Sequence, residues 1–409
     1  PTTIPSAHSS YSAVRKEKDI AAGGMMGVKV ATGKALMILV AVFIICAGGG
    51  VVVSPAAAEE VPLVPAVYVF GDSTMDVGNN LYLGNVTLPY PPFPYGIDFT
   101  GPGPNGRFSN GYNMADSISK LLGFNMSPPA FLSLTPETSV EILKGLGGVN
   151  YASGGSGILD TTNNADLPLS KQVEFFAATK ANMTEKSGGN STNIDALLSK
   201  SLFLISDGGN DMLAFWGNSP SSDKVQPFYD DLLSNYTKYV KRLYRLGARR
   251  FGVINVPAIG CVPVVRAKSL IGEICEPFVN KLADGFNIAL GDAMANLNAS
   301  LPGMRYSVGS SYNLVTNFTG PPVAPGFDDV KSACCGGGKF NGETFCSLPN
   351  TTHCDHRDDH LFWDGVHCTQ AASNKGAEAI FAAPVELNFT APINFKQLLL
   401  DDQPTNVSR

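Results

Sequence analysis

Apolar runs of four to six residues recur along the chain without polar alternation: AVYVF at 66–70, SLFLIS at 201–206 and FGVINV at 251–256. A strand with one wet face would alternate, so unbroken runs of this length fit strands buried on both faces of a parallel sheet. GVNYASGGSG at 148–157 is a further candidate strand with a glycine-rich exit. Between the runs the spacing changes to three and four. Over 223–246, Val225, Phe228, Leu232, Tyr236, Val240, Leu243 and Leu246 share one helical face, and Gly247 follows as a natural stop. Over 276–298, Phe278, Leu282, Phe286, Leu290, Met294 and Leu297 repeat the pattern behind Pro277, which suits a first helical turn. The windows 110–122 and 368–381 are weaker helical candidates. Strand alternating with helix implies crossover units and a layered α/β sandwich. No repeat of fixed period and no linker interrupts 60–400, so one domain is expected there, with 401–409 as a tail. The Pro-, Gly- and aromatic-rich stretch at 78–105 is too long for a plain connection and reads as a functional or disordered loop.

Composition narrows the function. With 44% hydrophobic and 16% charged residues there is material for a large core, and a net charge of −6 without long basic runs excludes nucleic acid and anionic membrane surfaces as partners. Residues 1–24 lack apolar periodicity and read as an upstream or disordered extension. From 25 to 58 the pattern is that of a secretory signal peptide: Lys29 and Lys34, then ALMILVAVFIICA, then small residues approaching a cleavage point near Ala58. An uncleaved anchor over 35–53 is the competing reading, its 19 residues being just long enough to span a bilayer. Export to the apoplast or cell wall agrees with Asn-X-Ser/Thr sequons at Asn85, Asn125, Asn182, Asn190, Asn235, Asn298, Asn317, Asn350, Asn388 and Asn406. It also agrees with the cysteines. Seven follow the expected cleavage point, five of them (Cys334, Cys335, Cys346, Cys354, Cys368) in one stretch, where disulfides are expected; an odd count leaves at least one thiol free or paired with another molecule.

In an open α/β sheet, ligands bind beyond the carboxyl ends of the strands. There the first run delivers Ser73, the glycine-rich candidate delivers Gly154 and Gly155, and SLFLISDGGND delivers Asn210. A hydroxyl, a close-approaching backbone N–H and a side-chain amide are the parts acyl transfer needs, given a base. Of five histidines, His8 lies in the extension, while His353, His356 and His360 fall in HCDHRDDH, expected to be a solvated, salt-bridged turn. His367 differs: with Asp364 it makes the chain's single Asp-X-X-His, a spacing that lets a carboxylate hold one imidazole nitrogen and leaves the other for Ser73. Each piece alone is commonplace, since GDS occurs in many turns and Asn can simply cap a helix. Their order along successive elements is what points to chemistry. No GxSxG surrounds any serine, which excludes the α/β-hydrolase elbow.

FGDSTMDVGNN, PFPYGIDF, GRFSNGYNMADSIS, GVNYASGGSGIL, ISDGGND, INVPAIGCVP, ACCGGG and FWDGVH follow one another over roughly 66–382. This succession resembles the SGNH or GDSL family of serine esterases and lipases, specifically its large plant branch. The resemblance implies a three-layer α/β/α sandwich with a central, mostly parallel, flavodoxin-like sheet. It further implies Ser73 as nucleophile, His367 as base and then acid, and Asp364 as its orienter. The backbone N–H groups of Ser73 and Gly155 and the amide of Asn210 would form the oxyanion hole, with Gly154 an alternative for the glycine. No cofactor or metal and no obligate protein partner is implied; the expected partner is an ester, whether lipid, cutin-like oligomer or acetylated polysaccharide. Transfer of the acyl group to an alcohol, and polysaccharide deacetylation, are the alternative activities. Tyr90, Phe93, Tyr95 and Phe99 of the long loop either line an acyl or sugar site or pack the loop onto the body. Two departures stand out. Cys368 occupies a position where the branch usually has proline, and a bridge from it to the cysteine cluster is expected to pin the His367 loop. Asp207 precedes the GGND turn and is expected to turn away from the developing negative charge.

Overall fold

The computed structural model describes residues 61–84, 91–102, 105–165, 167–320, 326–346 and 348–400. The leader-like segment at 25–58, the extension at 1–24, the tail at 401–409 and Tyr90 lie outside the described residues. Five strands, β1 (Ala66–Gly71), β2 (Gly147–Asn150), β3 (Leu202–Ser206), β4 (Arg250–Ile254) and β5 (Arg305–Gly309), lie in the order β2-β1-β3-β4-β5 and are all parallel. The two-residue strand Thr390–Ala391 closes the far edge antiparallel to β5. The unbroken apolar runs are explained by burial on both sides: every residue of β1 and of β4 is buried. Alternate side chains then serve two separate cores. Ala66, Tyr68, Phe70, Phe203, Ile205, Phe251 and Val253 face one of them, and Val67, Val69, Leu202, Leu204 and Ile254 the other.

Helices cover both faces. On the first lie α2 (Leu169–Lys186), α3 (Ser191–Lys200), α4 (Gly209–Gly217), α5 (Val225–Arg245) and α7 (Pro277–Ser300), which contribute Phe176, Leu198, Met212, Leu232 and Phe286 to its core. On the second lie α1 (Met114–Leu121), α9 (Gln370–Ala382) and α10 (Phe395–Leu400), through Ile118, Ile380 and Leu398, joined by Leu314 of α8 (Ser311–Thr319). The short α6 (Pro263–Lys268) opens on a proline at its first turn. This is the three-layer α/β/α sandwich the sequence led one to expect. The periodic windows at 223–246 and 276–298 correspond to α5 and α7, and the weaker ones to α1 and α9. Among the described residues no helix is long and apolar enough to cross a membrane.

Two features position the site. The chain leaves β1 for β2 on one side and then returns across β1 to β3, so the segments after β1 and β3 diverge from neighbouring strands, a topological switch point. Gly71 of β1 lies level with Ser206 of β3, and at its φ of +142° a Cβ would stand 2.0 Å from the Ser206 carbonyl oxygen. Only glycine lets β1 run this close to β3 at the point where Ser73 emerges. The start of α1 is fixed too. Asn113 and Asp116 form a reciprocal cap, and Asp116 takes both Arg107 Nε (2.6 Å) and Nη2 (2.8 Å) in a buried pair.

The cysteines pair as Cys261–Cys275, Cys334–Cys354 and Cys335–Cys346, and Cys368 is a free thiol. This corrects the expected bridge from Cys368. Cys334 and Cys335 are consecutive residues of an extended segment, so their side chains leave on opposite sides and each captures a separate partner within the cluster. No cluster thiol is left for Cys368.

Candidate active site

Asp72 builds the turn that carries Ser73. Its Oδ1 accepts from the Thr74 N–H (2.9 Å) and hydroxyl (2.7 Å), while its carbonyl accepts from Met75 and Asp76 N–H. The bond pattern skips Ser73, whose N–H donates to no described group and whose side chain is half-buried. On the far side, the segment after the strand His360–Phe362 folds back on itself. Asp364 Oδ1 accepts from the N–H groups of Val366 (2.8 Å) and His367 (2.7 Å), an Asx turn that places an aspartate and a histidine three positions apart face to face. His367 Nδ1 then lies 2.7 Å from Asp364 Oδ2, and His367 Nε2 lies 2.7 Å from Ser73 Oγ. The three sequence-predicted side chains thus form one continuous hydrogen-bonded row, although 294 positions separate Ser73 from His367.

Electrostatics follow the geometry. Burial works against the charge of Asp364, but the facing imidazole and hydrogen bonds from His367, Tyr95 and Val366 outweigh it and hold the carboxyl below its ordinary range. Burial likewise lowers the basicity of His367, yet the Asp364 carboxylate, its hydrogen bond and the nearby Asp72 together raise the imidazole above its usual value. A neutral imidazole made more basic by its neighbours is the better acceptor of an adjacent hydroxyl's proton.

The glycine and amide candidates sit at the ends of β2 and β3, on the two sides of β1. Gly154 N–H is spent on Asp76 Oδ2 at 3.1 Å. Gly155, at a φ of +85° in the left-handed region, turns its N–H to no described acceptor, which distinguishes it from its neighbour. Asn210 opens α4 and commits one amide hydrogen to Ser156 O at 2.9 Å, leaving the other. Asp207 does not reach solvent: it is buried and accepts from Ser156 Oγ (2.8 Å) and Gly208 N–H (2.8 Å). Burial, with Asp72 and Asp211 adding to it, raises its pKa well above the ordinary carboxylate value, against the hydrogen bonds from Ser156 and Gly208 that lower it.

Several supporting residues escape sequence reasoning. Tyr95 OH donates to Asp364 Oδ2 at 2.6 Å, with its ring edge-on to Phe108 and Trp363. Of the loop aromatics, Phe93 is exposed and Phe99 packs on Tyr112 and Arg107. Gln172 of α2 clasps the end of β1, accepting from Gly71 N–H (2.8 Å) and donating to Gly71 O (2.9 Å) and Ser156 Oγ (2.9 Å). Asp76 and Asn79 bind the segment after β1 to the segment after β2, Asn79 Nδ2 donating to Asn150 O and Ala152 O. Arg357, in the histidine-bearing run, forms a bidentate pair with Asp98 at 2.6 and 2.8 Å, the salt-bridged turn expected there. No group of three or more His, Cys, Asp or Glu among the described residues has the arrangement of a metal site.

Cys368, next to His367, is not reactive by environment: burial first, then Asp364, pushes its thiol up to about 12. Iodoacetamide at pH 8 is therefore expected to leave Cys368 of the native protein unmodified while labelling it fully after unfolding without reductant, read by peptide mapping. Rapid native labelling contradicts the raised pKa of this half-buried thiol, and no labelling after unfolding contradicts the free one.

A family model described as GDSL-like lipase/acylhydrolase matches residues 67–380. Among curated proteins, the chain is 36% identical over 343 residues to GDSL esterase/lipase At1g71691 of Arabidopsis thaliana, covering 82% of this chain and 86% of that one. It is 34% identical over 354 residues to GDSL esterase/lipase At5g55050 of the same plant, covering 84% of this chain and 92% of the relative.

Proposed function

Because the chain belongs to the GDSL-like lipase/acylhydrolase family and is therefore a hydrolase of ester bonds, we propose that it is a secreted serine carboxylester hydrolase working through an acyl-serine intermediate. The observation that carries this reading is the single imidazole of His367 lying 2.7 Å from both Ser73 Oγ and Asp364 Oδ2. Ser73 Oγ attacks the ester carbonyl carbon as its proton passes to His367 Nε2. Asp364 keeps the other ring proton on Nδ1 and stabilises the imidazolium. The carbonyl oxygen, now negative, takes hydrogen bonds from the Ser73 and Gly155 N–H groups and the free amide hydrogen of Asn210. When the C–O bond breaks, His367 gives its proton to the departing alcohol. Water then repeats the sequence on the acyl-serine, releasing the acid and restoring Ser73. Tyr95, donating to the same Asp364 oxygen that faces the imidazole, is a positioning residue in this scheme.

Export and a single domain over 60–400 belong to the same proposal. The leader-like pattern of 25–58 supports the first, and so do three disulfides, which suit an oxidising compartment. Covalent labelling tests the chemistry. A fluorophosphonate is expected to add once, on the peptide containing Ser73, with labelling lost in His367→Ala. An adduct on any other serine, or labelling that ignores His367→Ala, removes Ser73 from the role of nucleophile.

A further inference from the structure

An apolar cavity of about 110 Å³ opens beside Ser73 and His367 and continues into the interior. Its walls come from Ile254 at the end of β4, Leu314 and Phe318 of α8, Met114 of α1 and Gly376 of α9. We infer that this cavity receives the acyl chain of the ester, which makes the substrate class esters of short acyl groups, about five to six carbons long counting the carbonyl. The inference rests on Ser73 being the nucleophile.

Three observations converge on it. First, the cavity begins at the hydroxyl and imidazole themselves, so a carbonyl carbon placed at Ser73 Oγ has its chain directed into the hollow. Second, three polar side chains in the wall are already turned to protein partners. Ser109 Oγ donates to Cys368 O (3.3 Å), Ser311 Oγ to Asn255 O, and Asn113 caps α1 while its amide donates to Asp76 O (2.8 Å). The space they leave suits hydrocarbon and offers poor hydration. Third, Gly376 stands buried inside α9, where alanine would make the better helix. A Cβ there would come within 3.1 Å of Met114 Cε and 3.4 Å of Leu314 Cδ1, so any larger residue would displace these two lining side chains and reshape the cavity.

Size sets the chain length. An apolar cavity of about 150 Å³ holds a six-carbon benzene ring. At about 110 Å³ this one accommodates roughly four to five carbons beyond the carbonyl. Each methylene that enters strengthens binding in the transition state by roughly four-fold, and a chain that overfills the hollow gains nothing or clashes.

The test is kcat/KM on p-nitrophenyl esters from acetate to dodecanoate, where the alcohol is constant and only the acyl group varies. For the unaltered protein a rise of up to roughly four-fold per methylene as far as about hexanoate, then a fall, is expected. Gly376→Val should lower the hexanoate-to-acetate ratio by about ten-fold. Leu314→Ala should move the optimum at least two carbons longer. A flat series overturns the inference, as does an optimum at octanoate or beyond, or unchanged ratios in variants that melt cooperatively. If Gly376→Val does not fold, Leu314→Ala and the ester series decide. Ser73→Ala separates the two levels: silence on every ester with unchanged ratios in the wall variants defeats the cavity alone. Activity surviving Ser73→Ala defeats the reading beneath it.

Discussion

Replacing Ser73 with alanine is expected to lower kcat on every ester by about 10⁴-fold or more while leaving a protein that folds and melts like the original. The size follows from what the change removes. The hydroxyl is the group that would bond to the acyl carbon, and the water that must replace it as nucleophile has no fixed place in the row. What remains is the backbone N–H of residue 73, Gly155 and Asn210, enough for the residual catalysis that binding and oxyanion stabilisation provide. The small structural cost follows as well. Ser73 is half-buried, and the one hydrogen bond its side chain makes is to His367 Nε2, so alanine strands no deeply buried partner. Asn210→Ala should cost less, about 10²–10³-fold, because one of three oxyanion donors is lost. Steady-state hydrolysis of p-nitrophenyl butyrate beside a thermal melt reads both. Activity of Ser73→Ala within ten-fold of the original would place the nucleophile elsewhere.

How much of this could be read in the sequence depends on whether a contact is local or carried by the fold. The β1 run and its exit at Ser73 are legible because burial on two faces leaves no polar position until the strand ends. The Asp364–His367 pair is legible because an Asx turn brings residues three apart together without help from the rest of the chain. Tyr95 is different. It meets Asp364 across 269 positions, and nothing in its Pro-rich surroundings separates an aromatic that packs a loop from one that holds a carboxylate. Gln172 shows the same difficulty in a helix: as a fully buried polar residue it interrupts the apolar face of α2, and its purpose emerges only when Gly71 arrives from 101 positions away. Strand β5, RYSVG, gives no apolar run because two of its residues are only partly buried near the sheet's edge. The expected Cys368 bridge failed for a local reason that counting cysteines overlooks: adjacent cysteines in extended backbone point apart and consume two partners.

Asp364→Asn is expected to lower kcat by about 10⁴-fold and to move the acid limb of the pH–rate profile downward, two effects with one cause. Asp364 Oδ2 is shared by His367 Nδ1 at 2.7 Å and Tyr95 OH at 2.6 Å, whereas Oδ1 serves two backbone N–H groups. An asparagine that keeps its oxygen on the backbone donors presents an NH₂ to the imidazole. Nδ1 must then accept, the ring proton moves to Nε2, and the nitrogen facing Ser73 becomes a donor unable to take its proton. The pH effect has a definite sign. In the unaltered protein the carboxylate raises the His367 pKa over its ordinary 6.5, and only the neutral imidazole is a base, so kcat/KM climbs with pH through a midpoint higher than 6.5. Without the carboxylate, burial dominates and that midpoint falls. Stability moves in the matching direction. A raised histidine pKa stabilises the fold fully below 6.5 and ceases to do so as pH climbs past the folded value, so the variant should lose more in melting temperature at pH 5 than at pH 8.5. Residual activity within ten-fold of the original, with the acid limb unmoved, would show that His367 takes its orientation from some other group.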